Sequence, residues 1–295
     1  MLMFINEFIE KTDIADGAKT ALTDTFLLVK DTDYFKELTS MIEDKVPFYL
    51  IERKINEYSE KIPVHKYTFM MTLLIANGEI MRKRYLENGA DNEIFWDSMI
   101  DFKCKIEECK NVYDVWGIFP FTWYGSLFEA KVFKIGRLEF EKMTYDEKCD
   151  VINIHIPSCG SLRHEDVIDS YKRAFAFYPK THGRFTAFRC STYLLFPPYM
   201  GKVFKEESNT YKFANDFNII DVNYTDEFKD AWRVFYKDYT GDTSLLPKDT
   251  SMQRRFCSYL DEGGRVGTAC GVFMFDGEKI YKDEAGFLKD IIIKK

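Results

Sequence analysis

The residues best placed to do chemistry fall between positions 149 and 162. From Cys149 to Ile156 the chain alternates, with Ile152, Ile154 and Ile156 on one face and Asn153 and His155 on the other, the period of a strand with one apolar side. Pro157-Ser158-Cys159-Gly160-Ser161-Leu162 follows, and a helix is predicted from about His164 to Tyr178. A loop of small residues entering a helix leaves backbone N–H groups unpaired at the positive end of the helix dipole, so it can receive an anion, phosphate in particular. An ordinary strand-to-helix turn has the same local pattern. Histidine exchanges its proton closest to neutral pH, so His155 can act as a base or can simply brace the loop by hydrogen bonds. Glu139 and Glu141 share the face of a second predicted strand, where carboxylates serve either as bases or as a solvated surface. Cys190 and Cys159 offer thiols, but neither has a neighbouring base in sequence, and buried cysteine usually behaves as a small hydrophobe.

Other chemistries lack their residues. The chain has no Walker loop, no G-x-G-x-x-G between strand and helix and no G-x-S-x-G elbow. His65, His155, His164 and His182 form no H-x-x-x-H pair, and Cys104 and Cys109 fall on different faces of a predicted helix, so no metal is expected. With 41 basic and 48 acidic residues the formal charge is −7, which argues against nucleic acid as a partner. No apolar stretch is long enough for a membrane span and no signal peptide opens the chain. The seven scattered cysteines fit reduced thiols, and the expected location is the cytoplasm.

The elements that must carry these residues divide into two. Up to about residue 129 apolar residues recur at helical spacing: Leu2, Ile5, Phe8 and Ile9; Tyr34, Phe35, Leu38 and Met41 behind a cap at Asp31 or Thr32; Leu50, Ile51 and Ile55; one long helix from Val64 to Glu87; and Ile94, Phe95, Met99 and Phe102 behind Asp91. An aromatic run from Tyr113 to Tyr124 reads as glue between domains, or as a pocket wall. From 130 the period turns to that of strands, at 131–143, 149–156, 185–196, 218–224, 231–236 and 266–275, with helices at 164–178, 208–217 and 250–260. The expectation is an all-α domain, 1–129, packed on a mixed α/β domain, 130–295. With 295 residues and 46% hydrophobic content, two cores are affordable in apolar material.

Several short stretches, in order, resemble the GNAT-like bacterial acyltransferases that carry a helical N-terminal domain. They are Gly136-Arg137-Leu138 with Phe140; His155-Ile156-Pro157 with Gly160 and Leu162; Cys190 with Tyr193-Leu194-Leu195, where Tyr193 stands in place of a usual Trp; Glu207-Ser208-Asn209 before Phe213; and Leu246-Pro247 with Thr250 and Gln253-Arg254. Phe95-Trp96-Asp97-Ser98 and Trp116-Gly117 fit the helical domain. The resemblance implies a mixed sheet splayed near its middle that grips acyl-CoA as co-substrate, acetyl or longer. It implies a pyrophosphate on the amides of Ser158, Cys159, Gly160, Ser161 and Leu162, and a pantetheine arm along the strand through Asn153 and Ile156. The reaction implied is attack of a small-molecule amine on the thioester. His155 is then the first choice of base, Glu139 an alternative, and Tyr193 a donor to the departing thiolate. The usual basic pyrophosphate signature is missing, Arg163 and Lys172 being the nearby cations. A non-catalytic acyl-CoA or metabolite binding module is therefore the second reading, and a partner-docking protein the third.

Overall fold

A computed structural model describes residues 1–145, 149–158 and 160–292. Two compact units are present, residues 1–134 with 157–159, and residues 135–156 with 160–295.

The first unit is built from α1 (Leu2–Thr12), α2 (Asp16–Val29), α3 (Asp33–Glu43), α4 (Phe48–Glu57), α5 (Lys66–Ala76), α6 (Gly78–Glu87), α7 (Asn92–Tyr113) and α8 (Tyr124–Phe128). Thr32 and Asp91 cap α3 and α7 through their side chains. The single helix expected over 64–87 is two helices. Asn77 breaks it by turning its side-chain amide back onto Leu73 O at 2.8 Å, a local bond that competes with the helix ladder. The sequence pattern missed α2 entirely. The aromatic run packs inside this unit, with Phe121 stacked 5.2 Å from Phe48 and Tyr124 4.4 Å from Phe102. Buried Arg84 donates to Phe128 O, Ile42 O and Glu43 O at 3.0, 2.8 and 2.9 Å, so one guanidinium satisfies carbonyls at the ends of α3 and α8.

The second unit is organised around a mixed sheet. Its strands are β1 (Val132–Ile135), β2 (Leu138–Tyr145), β3 (Cys149–His155), β4 (Thr186–Thr192), β5 (Asn218–Thr225), β6 (Val266–Phe275) and β7 (Ile280–Tyr281). They are ordered β1-β2-β3-β4-β6-β5, with β7 on β6. The helices are α9 (His164–Phe177), α10 (Asn209–Ala214), α11 (Ala231–Phe235), α12 (Ser251–Asp261) and α13 (Leu288–Ile292). Among the described strand registers β3 and β4 pair in parallel, and β2–β3, β4–β6, β5–β6 and β6–β7 pair antiparallel. The strand expected at 231–236 is α11. Its β-branched and aromatic residues favour a strand locally, but Ala231, Val234 and Phe235 bury one helical face, and packing overrides propensity. Thr250 and Gln253 close α12 with a reciprocal capping box.

On one face of the sheet, Phe140, Phe188 and Phe273 pack with Tyr171 of α9. On the other, Val151, Ala187, Val272 and Met274 join Leu288 in a second apolar cluster. Cys109, Cys149, Cys190, Cys257 and Cys270 are buried free thiols. The reduced state expected of every cysteine does not extend to Cys104, which is disulfide-bonded.

The turn between β1 and β2 is tight. Gly136 has φ +67°, and a Cβ there would lie 2.7 Å from Ser170 Oγ, the atom that accepts the Arg137 N–H at 2.7 Å. Gly136→Ala is expected to cost roughly 2 kcal/mol, from the left-handed backbone and the displaced serine together, read as a fall in Tm of several degrees. An unchanged Tm would show that the turn relaxes freely.

Candidate active site

The site is assembled where β3 and β4 part. The parallel ladder consists of Ile152↔Phe188, Asn153↔Arg189 and Ile154↔Cys190, and there it stops. Both strands continue on their outer sides, β3 paired to β2 through Glu139↔His155 and β4 paired to β6 through Thr192↔Ala269. Beyond Ile154 and Cys190 the sheet therefore splits. Beyond that point the two inner edges no longer face each other as a ladder. The free edge is shorter than the sequence suggested, because the stretch up to Ile154 is occupied by β4. An added strand has room only from His155 and Ile156 onward.

Glu139, Glu141, Asn153 and His155 share one face at this end, because directly paired residues and alternate residues point the same way. His155 Nε2 lies 3.0 Å from Glu141 Oε2 and 3.1 Å from Asn153 Nδ2. Asn153 Oδ1 in turn accepts from Arg189 NH1 at 2.6 Å, which sets the orientation of its amide. Nε2 cannot donate to Glu141 and accept from Asn153 at once; a carboxylate is the stronger partner, so we assign the Nε2 proton to the bond with Glu141. Glu141 and Asn153 thus flank the imidazole, which has 26% of its side chain exposed.

Glu139 sits directly opposite His155 but is only 3% exposed. Burial lowers the pKa of the neighbouring Arg137 guanidinium, and the Glu139 carboxylate works against that shift as its countercharge. Tyr193 lies not within a strand, as expected from sequence, but in a short 3-10 turn, Tyr193–Leu195, that follows β4. Its ring faces Phe228 and Phe256 at 6.4 Å each. Cys190 points to the opposite face and is 1% exposed, and burial pushes its thiol far up, away from the nucleophilic thiolate.

The loop after β3 is positioned by Arg137, whose role the sequence reading missed. Arg137 Nε donates to Ser161 O at 3.0 Å and its NH2 to Gly160 O at 3.0 Å. In a trans peptide the carbonyl of one residue and the N–H of the next point in opposite directions. Drawing those two carbonyls onto Arg137 therefore turns the amides of Ser161 and Leu162 away from it. Gly160 adopts φ +68° to allow the bend. None of the amides of Gly160, Ser161 and Leu162 donates to a described backbone carbonyl. Gly160 and Ser161 are exposed, Leu162 is buried, Ser158 is exposed, and Cys159 lies outside the described residues. Asn209 Nδ2 donates to Ser161 Oγ at 2.8 Å.

Immediately after the loop, His164 begins α9, bonded to Asp216 Oδ1 at 2.9 Å, whose carboxyl pKa is raised by burial. Of the two cations that sequence placed near the loop, Arg163 is tied to Asp166 at 2.8 Å, while Lys172 is exposed on α9. The positive charge beneath the loop thus comes from Arg137. The only hint in the sequence was Gly136-Arg137, a glycine turn followed by a cation in the neighbouring hairpin. Among the described residues no three His, Cys, Asp or Glu side chains group to hold a metal, and no helix is long and apolar enough to cross a membrane.

Comparison with known families covers both units. Residues 3–130 match the N-acyltransferase N-terminal domain and residues 132–273 match the GNAT-like C-terminal domain. The chain belongs to the GNAT-like acyltransferases built from these two domains. Among solved structures it is similar to an acyltransferase variant in complex with octanoyl-CoA, at TM-score 0.72 and 16% identity, over 90% of this chain and 86% of that one. It is equally similar in fold to an acyltransferase in complex with CoA and 10C-teicoplanin, at TM-score 0.72 and 17% identity over the same shares. A third, in complex with decanoyl-CoA, has TM-score 0.71 and 14% identity over those shares. No curated protein matches the chain.

Proposed function

We propose that this protein is an acyl-CoA-dependent N-acyltransferase that moves an acyl group from the CoA thioester to an amine of a small-molecule acceptor. The observation that carries this reading is the parting of β3 from β4 after Ile154 and Cys190, beside the outward amides of Ser161 and Leu162. The diphosphate lies on those amides, over a loop whose underside is held by a cation. The pantetheine arm pairs with the inner edge at His155 and Ile156, and the thioester reaches the gap. That some structural relatives hold octanoyl- or decanoyl-CoA, and that one also holds a teicoplanin, supports an acyl donor longer than acetyl and a small-molecule acceptor.

In the reaction the amine nitrogen attacks the thioester carbonyl, a C–N bond forms and the C–S bond breaks. His155 takes the proton lost by nitrogen, and Tyr193, at the same end of the sheet, donates one to the departing thiolate. Glu141 steadies the imidazolium that forms. With the division proposed at residues 129 and 130, every one of these groups lies in the second domain. The test is free-thiol release from acetyl-, octanoyl- and decanoyl-CoA with a mixed panel of amines, alongside calorimetry with CoA. Release that needs both donor and amine is expected. No binding of CoA and no release from any donor would overturn the proposal.

A further inference from the structure

At the outer end of the second unit's sheet lies a cavity of about 280 Å³, the volume of roughly nine liquid waters. It is formed where β5 ends and β6 begins. Tyr259 of α12 makes its floor and donates to Arg265 O at 2.7 Å, which fixes the backbone just before β6. Gly264 is needed for that closeness, since a Cβ there would come within 2.3 Å of the Tyr259 ring. Arg265 lies over the ring of Tyr224, with the guanidinium carbon 3.7 Å from its centroid. Lys202 stands over Tyr259 from the opposite wall, 5.8 Å from the centroid, and Pro198 continues that wall.

Neither Lys202 nor Arg265 has a carboxylate partner among the described residues, although an acid, Glu262, lines the rim. Two unneutralised cations over tyrosine faces, in a concave site with a proline wall, match one ligand chemistry. That is a flat ring bearing a carboxylate: the ring on the tyrosine faces and the carboxylate on the fork of Arg265 and the ammonium of Lys202.

We infer that this cavity is a binding subsite for a carboxylate-bearing ring, serving as the far anchor of the acceptor. Its assignment to the acceptor rests on the transferase reading, whereas the binding itself does not. The topology places it suitably. β6 runs antiparallel to β4 with Thr192 opposite Ala269, so its start lies toward the same sheet end as the gap after Ile154. The order β3-β4-β6-β5 puts three strand spacings, roughly 14 Å where the strands are paired and more where β3 and β4 part, between His155's strand and Tyr224's. An acceptor held at both points is larger than a single ring and carries its negative charge remote from its amine.

The test uses the full chain and two probes of equal shape, 4-hydroxybenzoate and 4-hydroxybenzamide, in titrations followed by NMR. Saturable binding of the acid, at least tenfold tighter than the amide, is expected. Arg265→Ala and Lys202→Met should each weaken the acid about tenfold without changing the amide, and Arg265→Lys should keep part of the preference. Equal binding of acid and amide, or no effect of either substitution in a variant of unchanged Tm, would overturn the subsite. CoA binding is measured on the same samples. Loss of the transferase reading would appear there as absent CoA binding while the acid still titrates, so the two failures are distinguishable.

Discussion

His155→Ala is expected to lower turnover by about 100- to 10,000-fold while leaving the affinity for acyl-CoA within about twofold, the range expected when a positioned general base is lost but the donor site is intact. The split follows from the geometry. The side chain of His155 faces Glu141 and Asn153, whereas the groups proposed for the donor are backbone amides further along the chain. Glu141→Gln should give a smaller loss, about tenfold, because it removes the carboxylate that orients the ring and stabilises its charged form while keeping a hydrogen-bond acceptor. Single-turnover thiol release with a saturating amine separates chemistry from product release. If His155→Ala released thiol at the parent rate, the base would have to be sought elsewhere, with Glu139 next in line despite its burial.

Arg137→Ala is expected to reduce affinity for both CoA and acyl-CoA by about 10- to 100-fold. Two charge-assisted bonds hold Gly160 O and Ser161 O, and half-exposed bonds of this kind are worth roughly 2 kcal/mol together after solvent screening. Without them the peptides of the loop are free to rotate, so the amides of Ser161 and Leu162 no longer converge. The cation under the loop is lost as well. Arg137→Lys should recover little, since an ammonium cannot reproduce the two-pronged fork. Calorimetry with CoA is the measurement, with Tm as the control for folding. Unchanged CoA affinity in a folded Arg137→Ala protein would mean that the loop needs no brace, or that the diphosphate binds elsewhere.

Much of this was legible in the sequence because the signals were local. The alternation of Ile152, Ile154 and Ile156 with Asn153 and His155 defines β3 and its polar face through the two-residue period of a strand. Thr250 with Gln253, and Asp91, announce helix starts because a cap needs only residues three apart. The small-residue loop between β3 and α9 could be read as an anion site for the same reason. Where a local signal was ambiguous, tertiary packing decided. Ala231 to Tyr236 reads as a strand, and Ala231–Phe235 folds as α11.

Only the fold could bring together residues far apart in the chain. Arg137 meets Gly160 and Ser161 because the β1–β2 hairpin lies beside the start of α9, and Arg189 meets Asn153 because β4 pairs in parallel with β3 after a long crossover. The same pairing buries Cys190 on the apolar face and places Glu139 opposite His155. Sequence periodicity states which way a side chain points from its own strand. Which groups it meets depends on strand order and register, and these are set by the summed burial of the whole sheet rather than by any short stretch of it.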